Sequence, residues 1–189
     1  VVAASGVTLR NMDIQGDLLL SAGIGEGEAA LDNVKVKGTV TVNGGGPNSI
    51  HLDNSQLESL IVDKKDGNIR IAAKGNTTVK RVDLRSGAKL ESGAAKDKGF
   101  RTVNLAKEMP AGSKASLQGE FAEANIASSN VELELLGGTI EKLNVLSGAS
   151  GNTMKLQEDT KIVDLTLEEE ANVQGKGTID RAIVNDQAK

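Results

Sequence analysis

Leu57-Glu58-Ser59-Leu60-Ile61-Val62, Val79-Lys80-Arg81-Val82-Asp83-Leu84 and Phe100-Arg101-Thr102-Val103-Asn104-Leu105 are three versions of one pattern. Each sets an apolar residue three positions before a pair of apolar residues that are two apart. Working outward, the pair recurs as Leu18/Leu20, Val40/Val42, Leu60/Val62, Val82/Leu84, Val103/Leu105, Ala124/Ile126, Leu143/Val145, Leu165/Leu167 and Ala182/Val184. Successive steps are 22, 20, 22, 21, 21, 19, 22 and 17 residues. The preceding apolar position runs from Ile14, Val36 and Leu57 to Ile162 and Ile179. A further pair opens each unit, from Val7/Leu9, Ala29/Leu31, Ile50/Leu52 and Ile69/Ile71 to Ala171/Val173. Alternation of period two marks strands with every second residue facing inward. A fixed period near 20 marks a solenoid. The pattern predicts an all-β, right-handed parallel β-helix of about nine coils of roughly 20 residues, with three short strands per coil. At ~4.8 Å per coil the rod is ~43 Å long. A leucine-rich repeat would need a Leu/Asn consensus spacing and a helical segment, and neither is present.

Composition agrees. Among 189 residues there are two Phe, no Tyr, no Trp, no Cys and 22 Gly. A narrow interior of Val, Leu, Ile and Ala suits this better than a globular core, which uses large aromatics. Without Cys there is no disulfide framework or thiolate metal site, and one His makes a zinc site a poor fit. The net charge of −4 argues against nucleic acid. No apolar run reaches membrane-spanning length. The chain, opening on Val1 and closing on Asp186-Gln187-Ala188-Lys189, reads as one β-helix module, residues 1–189, excised from a longer multidomain protein.

Leu9-Arg10-Asn11, Leu31-Asp32-Asn33 and Leu52-Asp53-Asn54 place Asn at one point of three coils. Asn tolerates the left-handed backbone of a sharp corner, and stacked amides can bond along the rod. The longest departures from the repeat, Glu91–Gly99 and Ala106–Ser113, are expected as loops on a rigid scaffold, a place where binding sites form. Asp32 and Asp53 stack at a corner, and Glu168-Glu169-Glu170 reads as a solvated run. Neither carboxylate group comes with the flanking residues a glycoside hydrolase or lyase site needs. No cofactor motif is present.

Gly44-Gly45-Gly46-Pro47-Asn48-Ser49-Ile50-His51-Leu52-Asp53 breaks the monotony. With Ile50 and Leu52 inward, Ser49, His51 and Asp53 are expected to project outward together. They are too widely spaced along a strand for a hydrolytic triad. Two other reactions are open. The Asn48 amide can attack its own carbonyl, or the Ser49 hydroxyl can attack the Asn48 carbonyl and give an ester that hydrolyses. Aligning Leu31 with Leu52 puts Glu28 beside Ser49. Aligning Leu52 with Ile71 puts Asn68 beside Ser49 and Arg70 beside His51. Glu28 is therefore a candidate general base, and His51 a second.

Leu31-Asp32-Asn33-Val34-Lys35-Val36-Lys37-Gly38-Thr39-Val40 together with Gly44–His51 resembles the family 54 carbohydrate-binding modules of surface-layer-anchored, multidomain glycoside hydrolases, such as cell-surface chitinases and laminarinases. The resemblance is strong over residues 5–90 and extends further only through the repeat. It implies a right-handed parallel β-helix and an insoluble polysaccharide ligand (chitin, β-glucan or xylan). It implies anchoring and catalytic domains in the same parent chain, and an extracellular site on a Gram-positive surface. It also implies a single self-cleavage, carried here by Asn48-Ser49, with no catalytic turnover by the module itself. With no Tyr or Trp, sugar contacts would fall to polar side chains and to Phe in the loops. A structural stalk or adhesin with no sugar site and no self-cleavage is the alternative.

Overall fold

The computed structural model describes residues 1–95 and 97–188. They form one continuous parallel sheet of sixteen strands wound into a solenoid, with no membrane-spanning helix among them. Nine rungs, from Val7–Leu20 to Ala171–Val184, stack into about eight turns, consistent with a right-handed parallel β-helix. In Ala29–Val42 and Glu132–Val145 the segments of one coil run together as a single bent strand, so the corner is a register shift rather than a loop.

The register follows the apolar series. Leu18, Val40, Leu60, Val82 and Val103 pair in succession, and so do Ile14, Val36, Leu57, Val79 and Phe100. Nearly all of these side chains are buried. Phe100 and Phe121 do not reach the loops as the sequence reading allowed. Both are core residues, stacked at 6.0 Å between ring centroids and 8° between planes. The reason is their place in the inward series, where a flat ring fits between consecutive rungs.

The opening series slips once. Leu31 pairs with Leu52 as expected, but Leu52 pairs with Ala73, not Ile71. Ile69, Ile71 and Ala73 all face inward, and the coil uses the last of them opposite Leu52. His51 therefore lies beside Ala72, and the expected neighbour Arg70 lies two residues away.

The Asn corners are as expected: Asn11, Asn33 and Asn54 have φ of 54°, 53° and 47°. Asn33 Nδ2 donates to Asn11 Oδ1 at 2.8 Å, while Asn54 Oδ1 accepts from the Asn76 amide at 3.0 Å. Asp32 and Asp53 stack, and Asp32 is held by Arg10. Glu168 and Glu169 cap the turn of the preceding coil, accepting from the amides of Ser147 and Gly148. The expected loop at 91–99 is shorter, because Ala88–Ala94 is strand; Lys96 lies outside the described residues. The loop at 106–113 is present and is anchored by buried Met109.

Candidate functional site

The glycine-rich turn leaves Val42 and runs alongside residues 21–27 of the first coil. Gly45 and Gly46 donate to the carbonyls of Gly25 and Gly27 at 2.7 and 3.3 Å. A Cβ on Gly46 would collide with the Glu26 carbonyl, so only glycine lets the two backbones meet. Gly46-Pro47-Asn48-Ser49 then forms a tight turn, with the Ser49 amide donating to the Gly46 carbonyl at 3.1 Å. Pro47 occupies the position where a fixed φ helps such a turn.

Ser49 is not outward. It is completely buried, and its hydroxyl donates to the Gly46 carbonyl at 2.7 Å. That carbonyl also accepts from the Arg70 amide at 3.2 Å, so three donors converge on it. The cause is Ile50, whose φ of 51° reverses the alternation of the strand that follows. Ile50 and Ser49 both end inside, and only His51 and Asp53 keep their outward places. The Ser49–His51–Asp53 array is thereby dismantled.

Asn48 is exposed at the crest of the turn. Glu28 is exposed as well. Its backbone faces the preceding segment: the amide donates to Ser5 Oγ at 3.1 Å, and the carbonyl accepts from the Gly6 amide at 2.7 Å. His51 is half-buried between Ala30 and Ala72. Among the described residues neither Glu28 nor His51 hydrogen-bonds Ser49 in the resting structure.

Sequence reasoning missed Lys64. Its side chain is 6% exposed, and Nζ donates to Glu26 Oε1 at 2.6 Å, Asp66 Oδ1 at 2.5 Å and the Gly67 carbonyl at 3.1 Å. Burial pulls its pKa down, but the hydrogen bonds to Asp66 and Glu26 outweigh this and leave it above the usual lysine value. A signal was present: Leu60, Val62 and Lys64 continue one inward alternation. Glu26, the residue whose carbonyl packs on Gly46, is thus tied across to the third coil.

A cleft of about 610 Å³ opens beside the turn. Pro47 lines one side and Pro110, from the 106–113 loop, another; these are the chain's two prolines. Lys65, Asn68, Arg70 and Lys114 supply polar contacts. Arg70 is paired with Glu91, and Lys114 with Glu132 and Glu134, so both cations are held in place. No group of three or more His, Cys, Asp or Glu among the described residues is placed to hold a metal ion.

No family model and no curated protein matches the chain. Among solved structures it is similar to chitinase ChiW from Paenibacillus sp. strain FPU-7, described as a bacterial cell-surface-expressed multi-modular enzyme machinery. The TM-score is 0.71 at 33% identity, over 74% of this chain. The match covers 12% of the chitinase's length, so this chain corresponds to a small part of that protein.

Proposed function

We propose that the chain is a non-catalytic module of a cell-surface, polysaccharide-degrading protein, of the family 54 carbohydrate-binding type, and that it breaks its own Asn48–Ser49 bond once. The observation that carries the second half is the fully buried Ser49 hydroxyl, fixed inside a glycine turn next to a left-handed isoleucine. That hydroxyl has a fixed place on the Gly46 carbonyl, whereas the Asn48 side chain is exposed at the crest of the turn, which favours Ser49 as the nucleophile. In the proposed reaction Ser49 Oγ attacks the Asn48 carbonyl carbon. The Asn48–Ser49 C–N bond breaks, and the hydroxyl proton ends on the Ser49 amine. Water then hydrolyses the ester, leaving a carboxylate on Asn48 and a free hydroxyl and ammonium on Ser49. Glu28 and His51 are the proposed proton-transfer groups, reached once the turn flexes.

The polysaccharide half rests on the 33% identity to a cell-surface chitinase and on the Pro47–Pro110 cleft. In a chain without Tyr or Trp, the two proline faces provide apolar surface for a sugar ring, and the paired cations provide oriented donors. Chitin, β-glucan and xylan are the proposed ligands, and a Gram-positive surface, with anchoring and catalytic domains in the parent chain, the proposed setting.

Both halves are tested directly. Intact mass after refolding from denaturant should show two fragments summing to the chain plus one water, with a new terminus at Ser49. Ser49→Ala should abolish the break. A break that survives Ser49→Ala, with the upstream fragment one water lighter, would assign it to the Asn48 amide. Retention on insoluble chitin, β-glucan or xylan should fall in Pro110→Ala. Retention on none of them would leave a structural stalk.

A further inference from the structure

Among the described residues, seven other than glycine have positive φ. Six are Asn or Asp: Asn11, Asn33, Asn54, Asn68, Asp97 and Asn130. These residue types tolerate the left-handed region because a short polar side chain can bond locally. The seventh is Ile50, at φ 51°. A β-branched residue there is a genuine outlier, since its branched Cβ crowds the backbone. Among the described residues every other left-handed corner is made by a residue suited to it, and the exception stands one residue after the Asn48–Ser49 bond.

The surroundings over-determine it. The Ile50 side chain is fully buried, and its carbonyl accepts from the Ala72 amide at 3.0 Å, so the residue cannot swing out. On the other side the Ser49 amide and hydroxyl are both tied to the Gly46 carbonyl. A Cβ on Gly45 would meet Ser49 Oγ and the Ile50 and Ile69 methyl groups, so the space behind is closed as well. Backbone strain persists only where packing imposes it, and it collects at reactive positions.

We infer that Ile50 is a strained positioning residue, which turns the Ser49 hydroxyl into the rod and makes the Asn48–Ser49 bond the point where that strain is released. This rests on the self-cleavage reading above. Opening the bond frees Ile50 from its upstream tether and lets its backbone return to the extended region. Part of that release falls in the transition state and speeds the break. Glycine at position 50 accepts the same φ without strain, whereas valine keeps the β-branch and hence the strain.

The test uses the full chain, refolded from denaturant so that the break starts at time zero, and followed by intact mass. Ile50→Val should cleave within a fewfold of the parent. Ile50→Gly should fold, by circular dichroism, and cleave roughly tenfold to a hundredfold more slowly, the rate equivalent of strain of this kind. Ile50→Gly cleaving as fast as the parent would overturn the inference. A second readout does not depend on cleavage. In the Ser49→Ala background, Ile50→Gly is compared by melting temperature with Ile71→Gly, its fully buried neighbour with ordinary backbone. Relief of strain should make Ile50→Gly the milder of the two, and equal losses would overturn the inference. A parent that never cleaves, with Ile50→Gly still the milder, would sink the self-cleavage reading and the positioning role with it, and leave only a strained corner.

Discussion

Removing both carboxylates from Lys64 should hurt more than removing Lys64 itself. The Lys64 side chain is 6% exposed, while those of Glu26 and Asp66 are 58% and 68% exposed. In Glu26→Ala/Asp66→Ala the charge is left buried with the Gly67 carbonyl as its remaining partner. Stranding a buried ion costs about 3–5 kcal/mol, and the open rim of this site favours the lower end. With a denaturant slope of about 2 kcal/mol per M, a loss of ~3 kcal/mol moves the urea midpoint by roughly 1.5 M. Lys64→Met, by contrast, removes the desolvated charge and keeps the buried stem, leaving both carboxylates in water. It should be nearly neutral. Each single carboxylate substitution leaves one anion in place, so the double variant should lose more than the two singles together. With no Trp or Tyr in the chain, far-ultraviolet circular dichroism is the assay. The sign with pH is a further check. Once its partners are gone, burial alone acts on Lys64 and lowers its pKa in the folded state. The deficit of the double variant should then shrink as pH rises toward about 10. Additive singles, or a Lys64→Met variant less stable than the double, would refute this account of the cluster.

Acid should cost the fold most at Glu91, whose pKa is held down from 4.5 to about 2, chiefly by its hydrogen bond to Arg70, with Lys89 adding to it. A depressed carboxylate stabilises above its unfolded value, so this contribution is intact above about pH 4.5 and lost as pH falls toward 2. After allowance for solvent screening it amounts to about 1–2 kcal/mol. The gap between urea midpoints at pH 7 and pH 3 should be smaller in Glu91→Gln than in the parent, with the other depressed carboxylates supplying what remains, and equal gaps would refute the assignment. In the core, Phe121→Ala should cost about 3–5 kcal/mol, since the ring fills the space against Phe100. Phe121→Leu should cost clearly less, and equal losses would mean that apolar volume alone cannot replace the stacked ring.

Two of the three apolar series could be aligned from sequence because their spacing is rigid: an inward pair and its leading residue occupy the same rung positions throughout. The opening series was harder. Ile69, Ile71 and Ala73 offer three inward positions for two, and the smallest of them, Ala73, carries the register to Leu52. Ser49 departs from the alternation for a different reason. Strict alternation puts it outside, and nothing in the residue type of Ile50 announces a left-handed backbone. Asn corners are legible because Asn favours that conformation; an isoleucine held there by its surroundings is not. Lys64 was hidden by composition. In Asp63-Lys64-Lys65-Asp66 a charged run reads as surface, although the alternation from Leu60 and Val62 points Lys64 inward.

A break at Asn48–Ser49 should leave the rod whole, and the contacts across it say why. It would divide residues 1–48, the first two coils, from coils three to nine. The ladder between Ala29–Val42 and Gln56–Val62 includes Lys35–Gln56, Val36–Leu57 and the four pairs from Thr39–Ser59 to Val42–Val62. The pairs Ala30–His51, Leu31–Leu52 and Asp32–Asp53 add a second ladder. Val34, Val36, Val40 and Val42 are buried, and Leu57, Leu60 and Val62 face them from the other piece. Burial of this kind is worth about 1.5–3 kcal/mol per side chain, so no single contact decides the outcome. Ser55 Oγ accepts from the Val34 amide at 3.0 Å, joining the pieces inside the core, while its proton is shared between the Asp53 and Leu31 carbonyls at 2.8 and 3.1 Å. Lys64 to Glu26 joins them at the rim. The nicked chain should therefore run as one species in native size exclusion and as two in denaturant. Glu26→Gln should not separate the pieces, whereas Ser55→Ala combined with Leu57→Ala should lower the urea concentration at which they part. Spontaneous dissociation of the nicked parent in buffer would show that the covalent link, and not the stacked coils, holds the first two coils to the rest.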